Sequence, residues 1–128
     1  MDKDLEILFM NEKVLEGSFL FYFHEKSSFQ EGAFWDYYNS VISITSNKIK
    51  DELEDDNATT KAIVYTHNEI LKKFIHHLSP NDMYEIKNFP IDNLHLYNER
   101  LSYMLEGYFK GFVINEDLYD EDLKNPMS

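Results

Sequence analysis

Five histidines are the first residues that could do chemistry, because imidazole is a common ligand of zinc and other transition metals. A zinc site on a helix needs two ligands at positions i and i+4 and a third ligand nearby. His24 begins an HExxH-like stretch, but Ser28 stands where the second histidine belongs. His76 and His77 are adjacent, so on a helix their side chains diverge by roughly 100°. The sequence around His95 offers no third ligand for a metal site. The sequence therefore predicts no metal site and no cofactor.

Nucleophilic and acid–base catalysis also lack their residues. The chain has no cysteine, and Ser18 follows a glycine without the GxSxG pattern of an exposed nucleophile. Its four glycines form no phosphate-binding loop. A catalytic carboxyl group needs an apolar pocket that raises its pKa, and only Glu25 and Glu31 lie among aromatic residues. Because Glu31 is also placed to cap a helix, the sequence predicts a protein that is not an enzyme.

Carboxylates are the most abundant charged groups, and they are clustered. Asp and Glu number 24 against 12 Lys and Arg, so the formal net charge is −12. Such a charge repels nucleic acid and anionic membranes and attracts basic proteins. Five of the six residues 51–56 are acidic, and so are five of the seven residues 116–122. We predict that these two clusters face a basic partner.

The length of 128 residues fits one domain with a usable core. Residues 17–35 are rich in aromatic rings but contain a single lysine, which argues against nucleic-acid stacking and predicts that they mainly form core. The longest apolar run, residues 19–23, is far too short to cross a bilayer. The first residues are acidic and lack the basic start of a secretory signal, so we expect a cytoplasmic protein.

Apolar spacing predicts helices over residues 3–11, from about 28 to 53, from 58 to 78, and from 92 or 93 to 108, with a short helical turn over 81–86. Ser28 and Glu31 would form a capping box for the second of these. The predicted fold is all-α, a compact domain of four to five amphipathic helices over residues 1–114, followed by an acidic short helix or tail over 115–128. One short strand pair between 19–23 and 112–114 is the open alternative. The predicted core contains Phe34, Tyr37, Val41, Ile42, Ile70, Phe74, Leu101 and Leu105.

The acidic stretch 51–56 is predicted to end the second long helix. Negative charge at a helix C-terminus opposes the macrodipole and costs some tenths of a kcal/mol per charge. Local stability then gives no reason for these charges, and this mismatch marks them as a candidate functional surface.

Two stretches carry a family resemblance: residues 16–35, with Gly17, Ser18, Phe34 and Trp35, and the segment LSYMLEGYFKGF at 101–112. Together they resemble a family of small acidic immunity proteins from bacterial polymorphic-toxin and contact-dependent growth-inhibition systems. The resemblance implies a binding protein that blocks the toxic domain of one cognate effector inside the producing cell. Such toxins are often nucleases, for example tRNA-cleaving ones, with a basic cleft that an acidic partner occludes. The four shared residues are expected to be structural.

The expected toxin-contacting residues come from the charge pattern rather than from the resemblance. They are Asp51, Glu52, Glu54, Asp55, Asp56, Glu116, Asp117, Tyr119, Asp120, Glu121 and Asp122. Two other functions stay open at this point. One is an acidic adaptor or regulator of another basic protein; the other is a small-molecule-binding domain or enzyme with a pocket lined by Trp35, Tyr37 and His24.

Overall fold

The computed structural model describes residues 2–81 and 83–127, and it confirms the all-α prediction. Its helices are α1 (Lys3–Glu12), α2 (Phe19–Lys26), α3 (Glu31–Lys50), α4 (Asn57–Leu78) and α5 (Leu94–Lys110), followed by a 3-10 helix at Glu116–Leu118. The described residues contain no strand. They contain one isolated parallel bridge between Ser28 and Lys87, which joins the α2–α3 linker to the α4–α5 loop.

The helices form a four-helix bundle with α2 packed beside it. Helix α1 packs against both α3 and α4, and α5 packs against the same two helices, so α3 and α4 lie diagonally across the bundle. Arg100 and Tyr108 of α5 contact the first and last parts of α3, respectively, so these two helices run in the same direction. Thr60, near the start of α4, meets the Tyr108 hydroxyl, so α4 runs the opposite way.

Short polar side chains set the path from α1 into α2. The Ser18 hydroxyl caps α2 by accepting a hydrogen bond from the Phe21 amide, and Gly17 before it has φ +94°, which favours glycine. The buried Asn11 side chain accepts a hydrogen bond from the Leu20 amide and donates one to the Ile7 carbonyl. Gly17 and Ser18 thus have structural roles at the start of α2.

The aromatic segment is core, as predicted. Phe19, Phe23 and Phe29 are buried and in ring contact with one another, and Phe34 packs edge-to-face on Phe19. The predicted core residues Phe34, Tyr37, Val41, Ile70, Phe74 and Leu101 are buried, and Ile42 and Leu105 are half-buried against them. The prediction that this segment mainly forms core is therefore confirmed, and Trp35 is buried as well.

Several local predictions are wrong. Ser28 does not cap α3, because Ser28 lies in the bridge to Lys87 and the helix begins after Gln30, which has no side-chain cap. Residues 83–86 are not helical, and Asp82 lies outside the described residues. Four apolar positions assigned to the inner faces of the helices are exposed instead: Ile49, Leu53, Ile75 and Leu78. In the described part of the chain, no helix combines the length and hydropathy needed to cross a membrane.

Candidate functional site

The first acidic cluster, residues 51–56, is the exposed turn between α3 and α4, and we call it the acidic turn. Helix α3 ends at Lys50, so the acidic residues follow the helix instead of forming its last turn. They also precede α4, and negative charge near the N-terminus of a helix interacts favourably with the helix macrodipole. The stretch does end α3, because Asp51 is its C-cap, so the predicted unfavourable position holds for the charge next to Lys50. The prediction is wrong for Asp56, which is the N-cap of α4, and local stability explains that part of the cluster.

Asp55 and Asp56 have partners within the fold. The Lys48 ammonium lies 2.6 Å from the Asp55 carboxylate, donates to the Tyr108 carbonyl, and stands 3.9 Å from the centre of the Tyr108 ring. Asp56 is the N-cap of α4, since its carboxylate accepts hydrogen bonds from the amide and the hydroxyl of Thr59. Asp56 thus fastens the turn to α4, and Asp55 fastens it to Lys48 of α3, which in turn contacts Tyr108 of α5.

Asp51, Glu52 and Glu54 are different. All three are exposed, and within residues 2–81 and 83–127 their carboxylates have no hydrogen bond or ion pair. The acidic turn therefore presents three negative charges that the fold itself does not use.

The second acidic cluster, residues 116–122, is held to the bundle by Arg100, the single arginine of the chain. The Arg100 side chain is 2% exposed; it donates to the Glu116 carboxylate and to the Leu123 carbonyl. Burial by itself lowers the pKa of Arg100, but its hydrogen bonds to Glu116 and Tyr38 outweigh burial and raise it overall. Glu116 is thus half of a largely buried ion pair and is not free for a partner.

Tyr119 also belongs to this anchor. Its ring lies 3.8 Å from the Arg100 guanidinium carbon and 6.3 Å from the centre of the Tyr103 ring. Burial raises the pKa of Tyr119, and the neighbouring Tyr38 hydroxyl raises it further. The Asn39 and Asn125 side chains exchange two hydrogen bonds and fix the end of the segment. Residues 115–127 accordingly pack on α3 and α5.

The remaining acidic residues of this segment face solvent. Asp117, Asp120, Glu121 and Asp122 are exposed, and the Asp120 carboxylate accepts a hydrogen bond only from the Asp122 amide. The two clusters have separate anchors on α5, Tyr108 and Arg100, eight residues apart. At 1.5 Å per residue, this separation is about 12 Å along the helix axis.

A pocket of about 180 Å³ opens beside the acidic turn, between the start of α1, the ends of α3 and α5 and the start of α4; we call it the turn pocket. Its walls include apolar side chains of Leu5, Ile44 and Leu53 and the acidic side chains of Asp2, Glu54 and Asp56. Sequence reasoning missed it, because Asp2, Leu5 and Tyr108 are far from the acidic turn along the chain. A sequence signal that could have indicated it is Leu53, a lone apolar residue inside an acidic run.

The three side chains that the sequence analysis placed around one pocket, those of Trp35, Tyr37 and His24, lie apart from one another. Trp35 packs edge-to-face on Phe34 and faces Arg100, whereas the Tyr37 hydroxyl points to the Ile63 carbonyl across the bundle. His24 lies on α2, 3.9 Å from the Glu69 carboxylate. These three side chains therefore do not line one cavity. Among the residues that the structure describes, no group of three or more His, Cys, Asp or Glu is placed to hold a metal ion.

Two histidines are integrated into the packing. The Nδ1 atom of His77 accepts a hydrogen bond from the Ile86 amide, and its ring stacks on Phe89 with 3.9 Å between ring centres. Because His67 follows the apolar spacing of α4, the sequence predicts that it is a core residue with a hydrogen-bond partner. It is half-buried, but its buried Nδ1 atom has no partner in the described part of the chain. Burial lowers the pKa of His67.

Comparison of this chain with protein-family models, with curated proteins and with solved structures found no match.

Proposed function

We propose that the protein is a cytoplasmic immunity protein that binds a basic toxin domain through the acidic turn and blocks its active site. The observation that carries the proposal is the set of three exposed carboxylates without partners in the described chain, Asp51, Glu52 and Glu54, in a molecule of net charge −12. Unpaired carboxylates on a protruding turn complement a cleft that is basic because it holds phosphates. The resemblance to immunity proteins supports the same function.

Apolar side chains in and beside the acidic turn support the proposal that this surface binds a partner and is not simply exposed to water. Leu53 is 57% exposed in the middle of the acidic turn, and Ile49 is exposed at the end of α3. Interfaces combine an apolar centre with a polar rim. The turn therefore offers both the charges that steer association and the apolar contacts that hold a complex.

The C-terminal segment is the less favoured surface. Its two most promising contact residues, Glu116 and Tyr119, are engaged with Arg100 inside the fold. Its free carboxylates add to the overall field, so they contribute to attraction at a distance.

The proposal is tested with two charge-matched triple variants and with the C-terminal domain of any large effector that the genes flanking the gene of this protein encode, which we call the toxin domain. Asp51→Asn/Glu52→Gln/Glu54→Gln changes the acidic turn, and Asp117→Asn/Glu121→Gln/Asp122→Asn changes the C-terminal segment. Each removes three exposed negative charges. We expect the first variant to slow association about tenfold and the second by less than about threefold, because local complementarity governs steering.

Equal slowing by both variants would show that only the total charge matters and would remove the acidic turn from the interface. Failure of the wild-type protein to bind the toxin domain, or to protect cells that express it, would contradict the immunity function itself. Binding of a basic protein that is not a toxin would instead favour the adaptor function.

A further inference from the structure

We propose that the turn pocket binds an arginine side chain of the basic partner, an inference that rests on the binding function proposed above. The arginine stem would lie against Leu5, Ile44 and Leu53, and its guanidinium would meet the carboxylate of Glu54. The pocket would thus supply the central anchor of the interface, with Asp51 and Glu52 at its edge.

The size of the pocket fits one side chain. Its volume of about 180 Å³ is below the ~300 Å³ at which pockets for drug-sized ligands begin. It therefore suits a single long side chain better than a cofactor or a metabolite.

The lining of the pocket is complementary to a side chain with an apolar stem and a positively charged end. Leu5 and Ile44 are half-buried, and Leu53 is open on its outer side. The carboxylates of Asp2, Glu54 and Asp56 line the pocket together with these apolar side chains. Arginine and lysine are the residues that bury a hydrocarbon stem while keeping a charged end near the surface.

Of the three carboxylates that line the pocket, Glu54 is the one whose two oxygens both lack a partner among the described residues, because Asp2 and Asp56 each use one oxygen in a helix cap. Asp2 accepts the Asp4 amide at the start of α1, and Asp56 accepts the Thr59 amide and hydroxyl at the start of α4. Glu54 has no partner in the described residues. Lys48 also lines the pocket, but its ammonium is held by Asp55 and the Tyr108 carbonyl. An incoming cation would therefore lie on the Glu54 side, away from Lys48.

The choice of arginine over lysine follows from the shape of the acceptor. A guanidinium can donate two parallel hydrogen bonds to one carboxylate and is more weakly hydrated than an ammonium. Arginine is also enriched among the residues that dominate binding energy at interfaces.

The absence of cysteine from the chain allows a test that needs no partner protein. Asn47→Cys places a single thiol on the pocket wall, and Ser46→Cys, the adjacent exposed residue of α3, is the matched control outside the pocket. Each variant is equilibrated, in 2-mercaptoethanol, with small disulfides that carry a propylguanidine, a propylurea, a propylamine or a butyl group. The modified fraction is measured by intact-protein mass spectrometry, because tethering makes weak side-chain binding measurable.

At Asn47→Cys we expect the guanidine to be favoured over the urea by about tenfold, the factor that one charge-assisted hydrogen bond supplies. The preference should fall below about twofold in Ser46→Cys and in Asn47→Cys/Glu54→Gln. An equal preference for the guanidine at both cysteines would mean that the acidic surface attracts the cation in general. That result would contradict binding in the turn pocket. A propylamine as good as the guanidine would overturn the arginine assignment, and a favoured butyl group would overturn the charged head. Since no partner is present, this result and the toxin-binding result can fail independently.

Discussion

At the scale of single residues, Arg100 and Glu116 connect the C-terminal segment to the bundle. The guanidinium is almost fully buried, faces Trp35, Tyr38 and Tyr119, and donates to Glu116 and the Leu123 carbonyl. A buried cation that loses its counter-charge is strongly destabilising, whereas an exposed pair contributes little. The structural importance of an acidic residue here therefore depends on whether it meets Arg100.

Glu116→Gln should lower the free energy of unfolding by about 1.5–3 kcal/mol, the range for a hydrogen bond to a charged group. Asp117→Asn is the matched control, since it removes the same charge from the next residue, which is exposed. The control should change the free energy of unfolding by no more than about 0.5 kcal/mol. Urea unfolding of the two variants makes the comparison. Equal stabilities would show that the Arg100–Glu116 pair does not hold the segment.

His67 makes stability depend on pH. Its pKa in the folded protein is lowered from 6.5 by burial, so below about pH 6.5 the unfolded chain binds more protons than the folded one. The free energy of unfolding should therefore fall as pH drops through and below that value. His67→Leu removes this contribution, so its loss of stability between pH 7.5 and pH 5.5 should be smaller than that of the wild type. A variant with the same loss would contradict the assignment to His67.

At the scale of helices, most of the fold was predictable because apolar spacing reports which face is covered. The α4 prediction of 58–78 differs from the observed Asn57–Leu78 by one residue, and Phe74 is buried as expected. The spacing failed at Ile75 and Leu78, which continue the pattern but are exposed. Helix α4 has 22 residues against 10 in its neighbour α1, so part of its length extends beyond α1.

The errors at helix ends have a different cause. Periodicity cannot tell which of several polar residues becomes a cap, so Asp56 was placed at the end of one helix while it actually begins the next. The turn pocket was unpredictable for a related reason. Its walls come from the ends of four helices, α1, α3, α4 and α5, and the distances between them depend on the bundle geometry and not on any one segment.

Two helical glycines should respond in opposite ways to alanine. A Cβ at Gly107 would lie 2.2 Å from the Phe112 carbonyl oxygen, because the chain folds back there and the Phe112 amide bonds to the Gly107 carbonyl. Nothing lies within 4 Å of a Cβ at Gly32, in the first turn of α3.

We therefore expect Gly32→Ala to raise the free energy of unfolding by about 0.4–1 kcal/mol, since alanine is the better helix former. Gly107→Ala should lower it despite that same propensity, because backbone must move to make room. Thermal unfolding of both variants gives the signs. A stabilising Gly107→Ala would contradict the close approach of residue 112 to α5.

At the scale of the whole molecule, the excess of acidic residues destabilises the fold and promotes binding of a basic partner. Added salt should therefore stabilise the fold and weaken the binding. A net charge of −12 on 128 residues repels itself in the compact state. The same charge draws in a basic partner from a distance. Raising monovalent salt from 10 to 150 mM shortens the screening length from about 30 to about 8 Å, and so weakens both effects.

The expected result is a rise in the melting temperature of the free protein and a fall of at least about tenfold in the association rate with the toxin domain over that range. The C-terminal triple variant carries the same reduced charge as the acidic-turn variant, so both should show a smaller rise in melting temperature. Only the acidic-turn variant should lose most of the salt dependence of association. If salt instead lowered the melting temperature, attractive pairs such as Lys48–Asp55 and Arg100–Glu116 would outweigh the repulsion. The excess negative charge would then not destabilise the fold. The many carboxylates without partners among the described residues would then need no explanation from binding.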